Sequence, residues 1–452
     1  MNEKKSNIGQ QPIRDARTLG IPKMLILGLQ HMFAMFGATV LVPILVQSYG
    51  LPLSIQTTLF FAGIGTLFFH VCTKMKVPAF LGSSFAFLGG FAAMGAMDQG
   101  IYATMEASEK LQYACGGIVV AGLLYVVLAA IIKAVGVHKV MHYLPPVVTG
   151  PIIILIGLNL APSAVSNAST CWWLALVAMG IIIVCNIWGK GMVKIIPILL
   201  GVVGSYIVAL IAGKVDFSAM QGVDIIGLQP FFTNFVGSIA KFDISAILVM
   251  APIAIASMME HIGDMSAISA TVGENFIEDP GLHRTLIGDG IATSLSALFG
   301  GPANTTYGEN TGVLVLSKVH DPRVIRLAAI YALVLSFSPW FAAFINSIPA
   351  AIIGGVSFIL YGMISAIGVR NVVENQVDFT NSRNLIIAAV ILVCGLGFTG
   401  GLTFQVGGAS ITLTSLAIAA IAGIILNAIL PGNDFNFGEN TDSKASGNLG
   451  QY

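Results

Sequence analysis

Apolar runs separated by short polar or basic segments dominate the 452-residue chain. Twelve are long enough to be full spans, near 25–46, 55–73, 111–135, 143–160, 171–188, 193–212, 244–270, 284–300, 324–346, 350–368, 384–398 and 409–430. About 20 apolar residues carry a helix across ~30 Å of hydrocarbon, so the pattern predicts an all-α polytopic membrane protein. Two further stretches, 78–97 (PAFLGSSFAFLGGFAAMGAM) and 302–317, are interrupted by polar residues and glycines. The second lies inside GGPANTTYGENTGVLVLSK, residues 300–318, where Asn304, Tyr307, Glu309 and Asn310 stand between oily neighbours.

Length explains how such a segment can cross. A helix over 303–317 rises only ~22 Å at ~1.5 Å per residue, short of the hydrocarbon thickness. With 304–308 extended at ~3.3 Å per residue and the rest helical, the segment reaches ~31 Å. The stretch 78–97 follows the same logic, with SSFAF (83–87) extended and the glycine-rich remainder helical. A lone extended segment in lipid leaves backbone groups unpaired, but two such segments can pair antiparallel inside the protein. Fourteen crossings result, with two short antiparallel strands in the broken segments 3 and 10.

The basic residues agree with that count. With the N-terminus inside, all but Lys110, Lys214 and Lys241 of the 21 Lys and Arg residues fall on the cytoplasmic side, and both termini are cytoplasmic. The chain also repeats itself weakly. GIGTL (63–67) is echoed by GIATSL (290–295), Pro78-Ala79 by Pro302-Ala303, and LPPVVTGPIIILIGL (144–158) by IPAAIIGGVSFILYGM (348–363). Seven crossings per half is an odd number, so the halves are expected to be inverted relative to one another, as in secondary transporters.

Composition adds that 56% of residues are apolar and 9% charged, far from a soluble chain of this length. The first 23 residues are polar and basic, without the apolar core of a cleavable signal peptide. The five cysteines have no CxxC spacing, so neither a disulfide framework nor a zinc site is expected. No cofactor, metal or nucleic acid is called for.

The chemistry concentrates in two places. Both half-helices would begin near the midplane, presenting unpaired N–H groups and positive dipole ends. Glu309 near one of them can accept hydrogen bonds from a ligand. Gly308 allows close backbone approach, and Phe85 and Tyr307 can offer ring faces. The second place is SMMEHIGDMSA, where Glu260 and Asp264, four apart, share a helix face with His261 turned away. Acids inside an apolar helix usually mark a transport path or proton relay. His31, Asp289 and Tyr361 are further polar candidates; His31 reads more often as a core histidine that bonds across helices, and Asp289, between two glycines, equally as a group that packs helices or supports a neighbour. A flat heterocycle with alternating C=O and N–H groups matches the mixture of backbone donors and carboxylate acceptors.

QHMFAMFGATVLVP (30–43), VPAFLGSSFAF (77–87), EHIGD (260–264), DPGLHR (279–284) and NTTYGENTGV (304–313) together closely resemble the bacterial uracil permease branch of the nucleobase-ascorbate transporter family. The resemblance runs from about residue 20 to 430. It implies a core domain from 21–140 (segments 1–4) and 216–347 (segments 8–11). A gate domain is implied from 141–215 (segments 5–7) and 348–430 (segments 12–14), between a cytoplasmic tail at 1–20 and a disordered tail at 431–452. It further implies an elevator-like movement and a homodimer in the cell membrane. Glu260 and Glu309 would hold the pyrimidine ring, the backbone at Phe85 and Gly308 would contribute, and Tyr307 and Tyr361 would lie near the ring. The family signature appears as ENTGVLVLS, 309–317, and the acid at Glu309 favours uracil where purine-selective relatives commonly carry Gln.

One departure concerns coupling. Some uracil permeases end EHVGH with a histidine implicated in proton coupling, whereas Asp264 stands here. Asp264 can still take up and release a proton, so Asp264, Glu260 and His31 are the candidates for proton coupling, and which of them carries the proton stays open. The expected function is proton-coupled uracil uptake, with a xanthine or other nucleobase symporter as the alternative. Anion exchangers share the fold, but Glu260 and Glu309 together would repel an anion. An intramembrane enzyme is disfavoured by the lack of an HExxH, serine-elbow or aspartyl-dyad motif.

Overall fold

The computed structural model describes residues 12–98, 100–227, 238–406 and 409–432. The chain opens with α1 (Ile21–Ser48), α2 (Ile55–Cys72), strand β1 (Leu81–Ser83) and α3 (Leu88–Gly95). Then come α4 (Ala107–Val135), α5 (Val137–Tyr143), α6 (Pro146–Ser169), α7 (Trp172–Ile187), α8 (Met192–Ile195) and α9 (Pro197–Ile211). The second half holds α10 (Ile244–Met250), α11 (Ile253–Val272), α12 (Leu282–Leu298), β2 (Asn304–Thr306), α13 (Gly308–Ser317), α14 (Pro322–Ser336), α15 (Pro339–Asn346) and α16 (Ala350–Glu374). It ends with α17 (Ser382–Gly397), a hairpin of β3 (Leu402–Val406) and β4 (Ala409–Leu413), and α18 (Ser415–Ile429). Six helices among the described residues are long and apolar enough to cross a membrane, and α7, α9, α17 and α18 are shorter apolar helices.

The two interrupted stretches do form paired strands. β1 and β2 run antiparallel with Leu81 opposite Thr306, Gly82 opposite Thr305 and Ser83 opposite Asn304. The ladder extends by one bond at each end, Ser84 N–H to Ala303 O at 2.8 Å and Tyr307 N–H to Phe80 O at 3.0 Å. In the first stretch the strand starts earlier than expected. Leu81–Ser83 is extended, and 85–87 turn into α3 instead of continuing SSFAF as strand.

Other expected spans are broken, each at a proline or a turn. The span at 324–346 is two helices, α14 and α15, bent by 88°. Pro339 has no N–H to donate and disfavours helical backbone before it, and Ser338 caps the new helix by accepting from Phe341 N–H at 3.2 Å. Pro197 likewise divides 193–212, whereas the span expected at 244–270 continues through helical backbone at Ala251 and Pro252 as one crossing length, Ile244–Val272. The expected span at 409–430 begins as strand β4, and only Ser415–Ile429 is helical, capped by Thr414. Helices α6 and α16 run longer than their apolar cores at 143–160 and 350–368. The tail expected at 431–452 lies mostly outside the described residues, as do residues 1–11 of the N-terminal tail.

Small residues bring the long helices together, as packing inside a bilayer requires. A β-carbon on Gly157 of α6 would lie 2.2 Å from Tyr361 O of α16, and one on Gly368 of α16 would lie 2.6 Å from Ile154 N. Ser365 Oγ of α16 donates to Ile154 O at 3.0 Å across the same contact. Gly122 of α4 and Gly290 of α12 meet in the same way, each within 2.6 Å of the other's carbonyl oxygen if given a β-carbon.

Outside the helices, residues 13–16 strap the chain to the loop after α13. Ile13 bridges Val319 in parallel, and Ala16 N–H donates to Asp321 Oδ2 at 2.7 Å. Asp15 pairs with Arg323 at 3.0 Å, and Arg14 pairs with Glu274. A bidentate contact from Arg17 holds the Asp15 carboxyl down at about 2.

Candidate binding site

The strand pair leads into two helix starts, one beyond each end of the ladder. α13 begins at Gly308 straight after β2, with Tyr307 still extended at φ −108° and ψ 116° and Glu309 in the first turn. On the other side, β1 leads through the bend at Phe85 into α3. The ring of Phe85 meets that of Tyr361 from α16 edge to face, with centroids 5.9 Å apart. Both rings are buried.

α11 lies beside this junction. Thr306, the last residue of β2, donates through Oγ1 to Asp264 Oδ2 at 2.8 Å, tying strand to helix inside the core. Next to it, a β-carbon on Gly308 would sit 3.8 Å from Asp264 Oδ1 and 3.2 Å from Ile367 Cδ1, so this glycine keeps backbone, α11 and α16 close. Glu260, one turn before Asp264, lies within Coulombic reach of Asp264, Glu309 and Asp289. Glu260 and Glu309 are partly exposed while Asp264 is buried, and Glu260 Oε2 has no hydrogen-bond partner among the described residues. Two partly open carboxyls and the N-terminus of α13 meet beside Asp264. Such a set can accept hydrogen bonds from a ligand's N–H groups and donate from backbone to its carbonyls.

Three candidates are engaged elsewhere. Tyr307 turns its hydroxyl to β1, donating to Ser83 O at 2.9 Å, with Thr39 Oγ1 of α1 at 3.4 Å. His31 is fully buried on α1 and meets Asn310 of α13, whose Nδ2 lies 3.2 Å from His31 Nδ1 and donates to His31 O at 3.1 Å. Asp289 of α12 faces His261, with Oδ2 3.0 Å from Nδ1, both side chains fully enclosed. His261 is thus turned away from the Glu260 and Asp264 face, as the helical spacing implied.

Sequence reasoning gave no role to Thr306, Asn310 or Gly82. The first two stand inside NTTYGENTGV, where the acid and aromatic drew attention. Their importance comes from partners on α11 and α1, more than forty residues away. Gly82 had no signal beyond its type, yet a β-carbon there would lie 2.3 Å from Cε2 and Cζ of Tyr307.

Known proteins resemble this chain closely. The family model Xan_ur_permease, described as a permease family, matches residues 22–403. The uracil permease of Bacillus caldolyticus is 42% identical over 93% of this chain and 94% of its own. That of Bacillus subtilis (strain 168) is 40% identical over 95% and 97%. The uracil permease of Escherichia coli (strain K12) is 35% identical over 89% and 90%. Among solved structures, the transmembrane domain of the cyanobacterial bicarbonate transporter BicA matches with a TM-score of 0.58 at 16% identity, covering 91% of this chain and 99% of that one. A murine anion transporter of the solute carrier 26 family, in its inward-facing state, matches with a TM-score of 0.57 at 12% identity, covering 94% and 73%.

The fold is therefore one seen in transporters, and the chain is a multi-pass membrane protein. It belongs to the nucleobase-ascorbate transporter family, among sequences similar to the bacterial uracil permeases.

Proposed function

We propose that this protein imports uracil across the cell membrane, coupled to proton entry. The observation that carries the reading is the junction of β2 and α13. Gly308 and Glu309 start a half-helix beside the Glu260 and Asp264 face of α11. Relatives at 35–42% identity named uracil permeases support the same substrate. Glu260 and Glu309 accept from the ring N–H groups, backbone N–H at Gly308 and Phe85 meets the ring carbonyls, and Tyr361 borders the ring. Tyr307 shapes the pocket from the strand side. Asp264 carries the coupling proton, with Glu260 and the buried His31 on the same path; carboxyl and imidazole groups can each bind and release a proton.

The reading extends to architecture. Fourteen crossings in two inverted halves put both termini in the cytoplasm. Residues 21–140 and 216–347 form the core, and 141–215 and 348–430 form the gate against which it slides as an elevator. The chain works as a homodimer. The antiparallel strand pair supports the inverted plan, since inverted segments would meet in this way.

The test is radiolabelled uracil uptake into proteoliposomes under an inward proton gradient. Wild type is expected to accumulate uracil, Glu260→Gln and Glu309→Gln to lose uptake, and Asp264→Asn to equilibrate uracil without responding to the gradient. Accumulation of xanthine or an anion in place of uracil would overturn the substrate assignment.

A further inference from the structure

A two-stranded ribbon has outer edges as well as a shared inner one, and inside a membrane protein those edges find no water. Leu81 turns both its backbone groups away from β2, and one side-chain oxygen takes them both. Thr66 Oγ1 of α2 accepts from Leu81 N–H at 2.9 Å and donates to Leu81 O at 3.2 Å. The opposite edge has the same device. Thr293 Oγ1 of α12 accepts from Asn304 N–H at 3.1 Å and donates to Asn304 O at 3.0 Å. Both threonines are fully buried.

A hydroxyl carries donor and acceptor on one atom, so it can stand in for the backbone of an absent third strand. Threonines in helices ordinarily bond back to their own preceding turn. Thr73 does so to Phe69 O at 2.9 Å, and Thr58 to Ser54 O at 2.8 Å. Thr66 and Thr293 instead reach across to the strand that follows their helix. They occupy matching places in the echoed motifs GIGT and GIAT. Asn304 reinforces the joint, its Nδ2 donating to Phe61 O of α2 at 3.2 Å and Ala292 O of α12 at 3.4 Å.

We propose that Thr66 and Thr293 are paired positioning residues. Their hydroxyls close the outer edges of the crossed strands and so hold the starts of α3 and α13 at the binding site. Valine would fill the same volume without bonding Leu81 or Asn304. The consequence for transport rests on the uracil reading above, whereas the pinning of the strands does not.

The experiment uses the full-length protein purified in detergent. Hydrogen exchange of the segments 78–88 and 300–310 is measured by mass spectrometry, with uracil binding titrated on the same samples. Thr66→Val is expected to speed exchange in the first segment and Thr293→Val in the second, each by about tenfold, with uracil binding weakened about tenfold. Thr66→Ser and Thr293→Ser, which keep the hydroxyl, should match wild type in both readouts. Folded valine variants with unchanged exchange and unchanged uracil binding would overturn the proposal. If a valine variant yields no folded protein, the cysteine variant replaces it, and serine-like exchange there counts against the pins. A wild type that binds no uracil would defeat the substrate reading alone, because the exchange comparison still decides the pinning.

Discussion

The ring of Tyr307 packs against Gly82 so closely that a β-carbon on that glycine would lie 2.3 Å from Cε2 and Cζ. The hydroxyl cannot swing clear without giving up its 2.9 Å bond to Ser83 O. Gly82→Ala therefore forces either the ring or the strand register to move. Overpacking of this kind costs about 1–3 kcal/mol, and here it falls on the element that aims α13. Uptake per transporter is expected to drop steeply at normal membrane abundance. Tyr307→Phe keeps the ring and removes the hydroxyl's neutral bonds to Ser83 and Thr39, each contributing about 1 kcal/mol or less, but it forces neither ring nor strand to move, so it should be the milder of the two. Wild-type uptake in Gly82→Ala would show that the contact does not constrain the site.

Thr306 and Asp264 give a second prediction. Thr306 Oγ1 donates to Asp264 Oδ2 at 2.8 Å, and a hydrogen bond donated to a carboxyl favours its ionised form. Thr306→Val keeps the shape and leaves Asp264 to its other neighbours. If Asp264 carries the proton, the pH profile of uptake should move in Thr306→Val and return in Thr306→Ser, with uracil affinity at a fixed pH changing less. A shift in affinity with the pH profile intact would assign this pair to substrate positioning instead.

The strap at the N-terminus makes a prediction about pH with a definite sign. Asp15 is held down from 3.8 to about 2 by Arg17, so its charged pairing is present above the ordinary value and lost only as pH falls toward 2. Between pH 5 and 8 the pair does not titrate. Asp15→Asn should leave the shape of the uptake profile over that range unchanged, whatever it does to the amplitude. A profile that changes shape would mean that the strap communicates with the coupling groups.

Much of this was legible from residue pattern alone, for a physical reason. A buried strand pair needs two short polar interruptions with matching flanks, and Pro78-Ala79 and Pro302-Ala303 mark them. The spacing of Glu260 and Asp264 fixed their common face, and it also turned His261 toward α12, where Asp289 lies. What stayed hidden depends on long-range closure. Nothing local says that the hydroxyl of Thr306 will find Asp264, that Asn310 will reach His31, or that Gly82 must make room for Tyr307. The breaks in the expected spans were misread because hydropathy averages across them. Ser338-Pro339 is apolar enough in its surroundings to pass as a continuous helix, although proline geometry ends one there.

The crossing of α6 and α16 offers a prediction with an internal control. On α6, a β-carbon at Gly157 would lie 2.2 Å from Tyr361 O and 2.3 Å from Ser365 Oγ, whereas on α16 a β-carbon at Gly362 meets nothing within 4 Å. The same substitution should act in opposite directions at these two sites. Gly362→Ala replaces the poorer helix former in open space and should leave thermal stability unchanged or raise it by up to about 1 kcal/mol. Gly157→Ala must push α16 away, lowering the melting temperature in detergent. Because the displaced residue is Tyr361, whose ring packs on Phe85 at 5.9 Å, Gly157→Ala should also raise the KM for uracil. Melting curves and uptake kinetics on the two variants decide the matter. Equal behaviour would mean that the helices are looser than their contacts imply, and a lower melting temperature with unchanged KM would separate the crossing from the site.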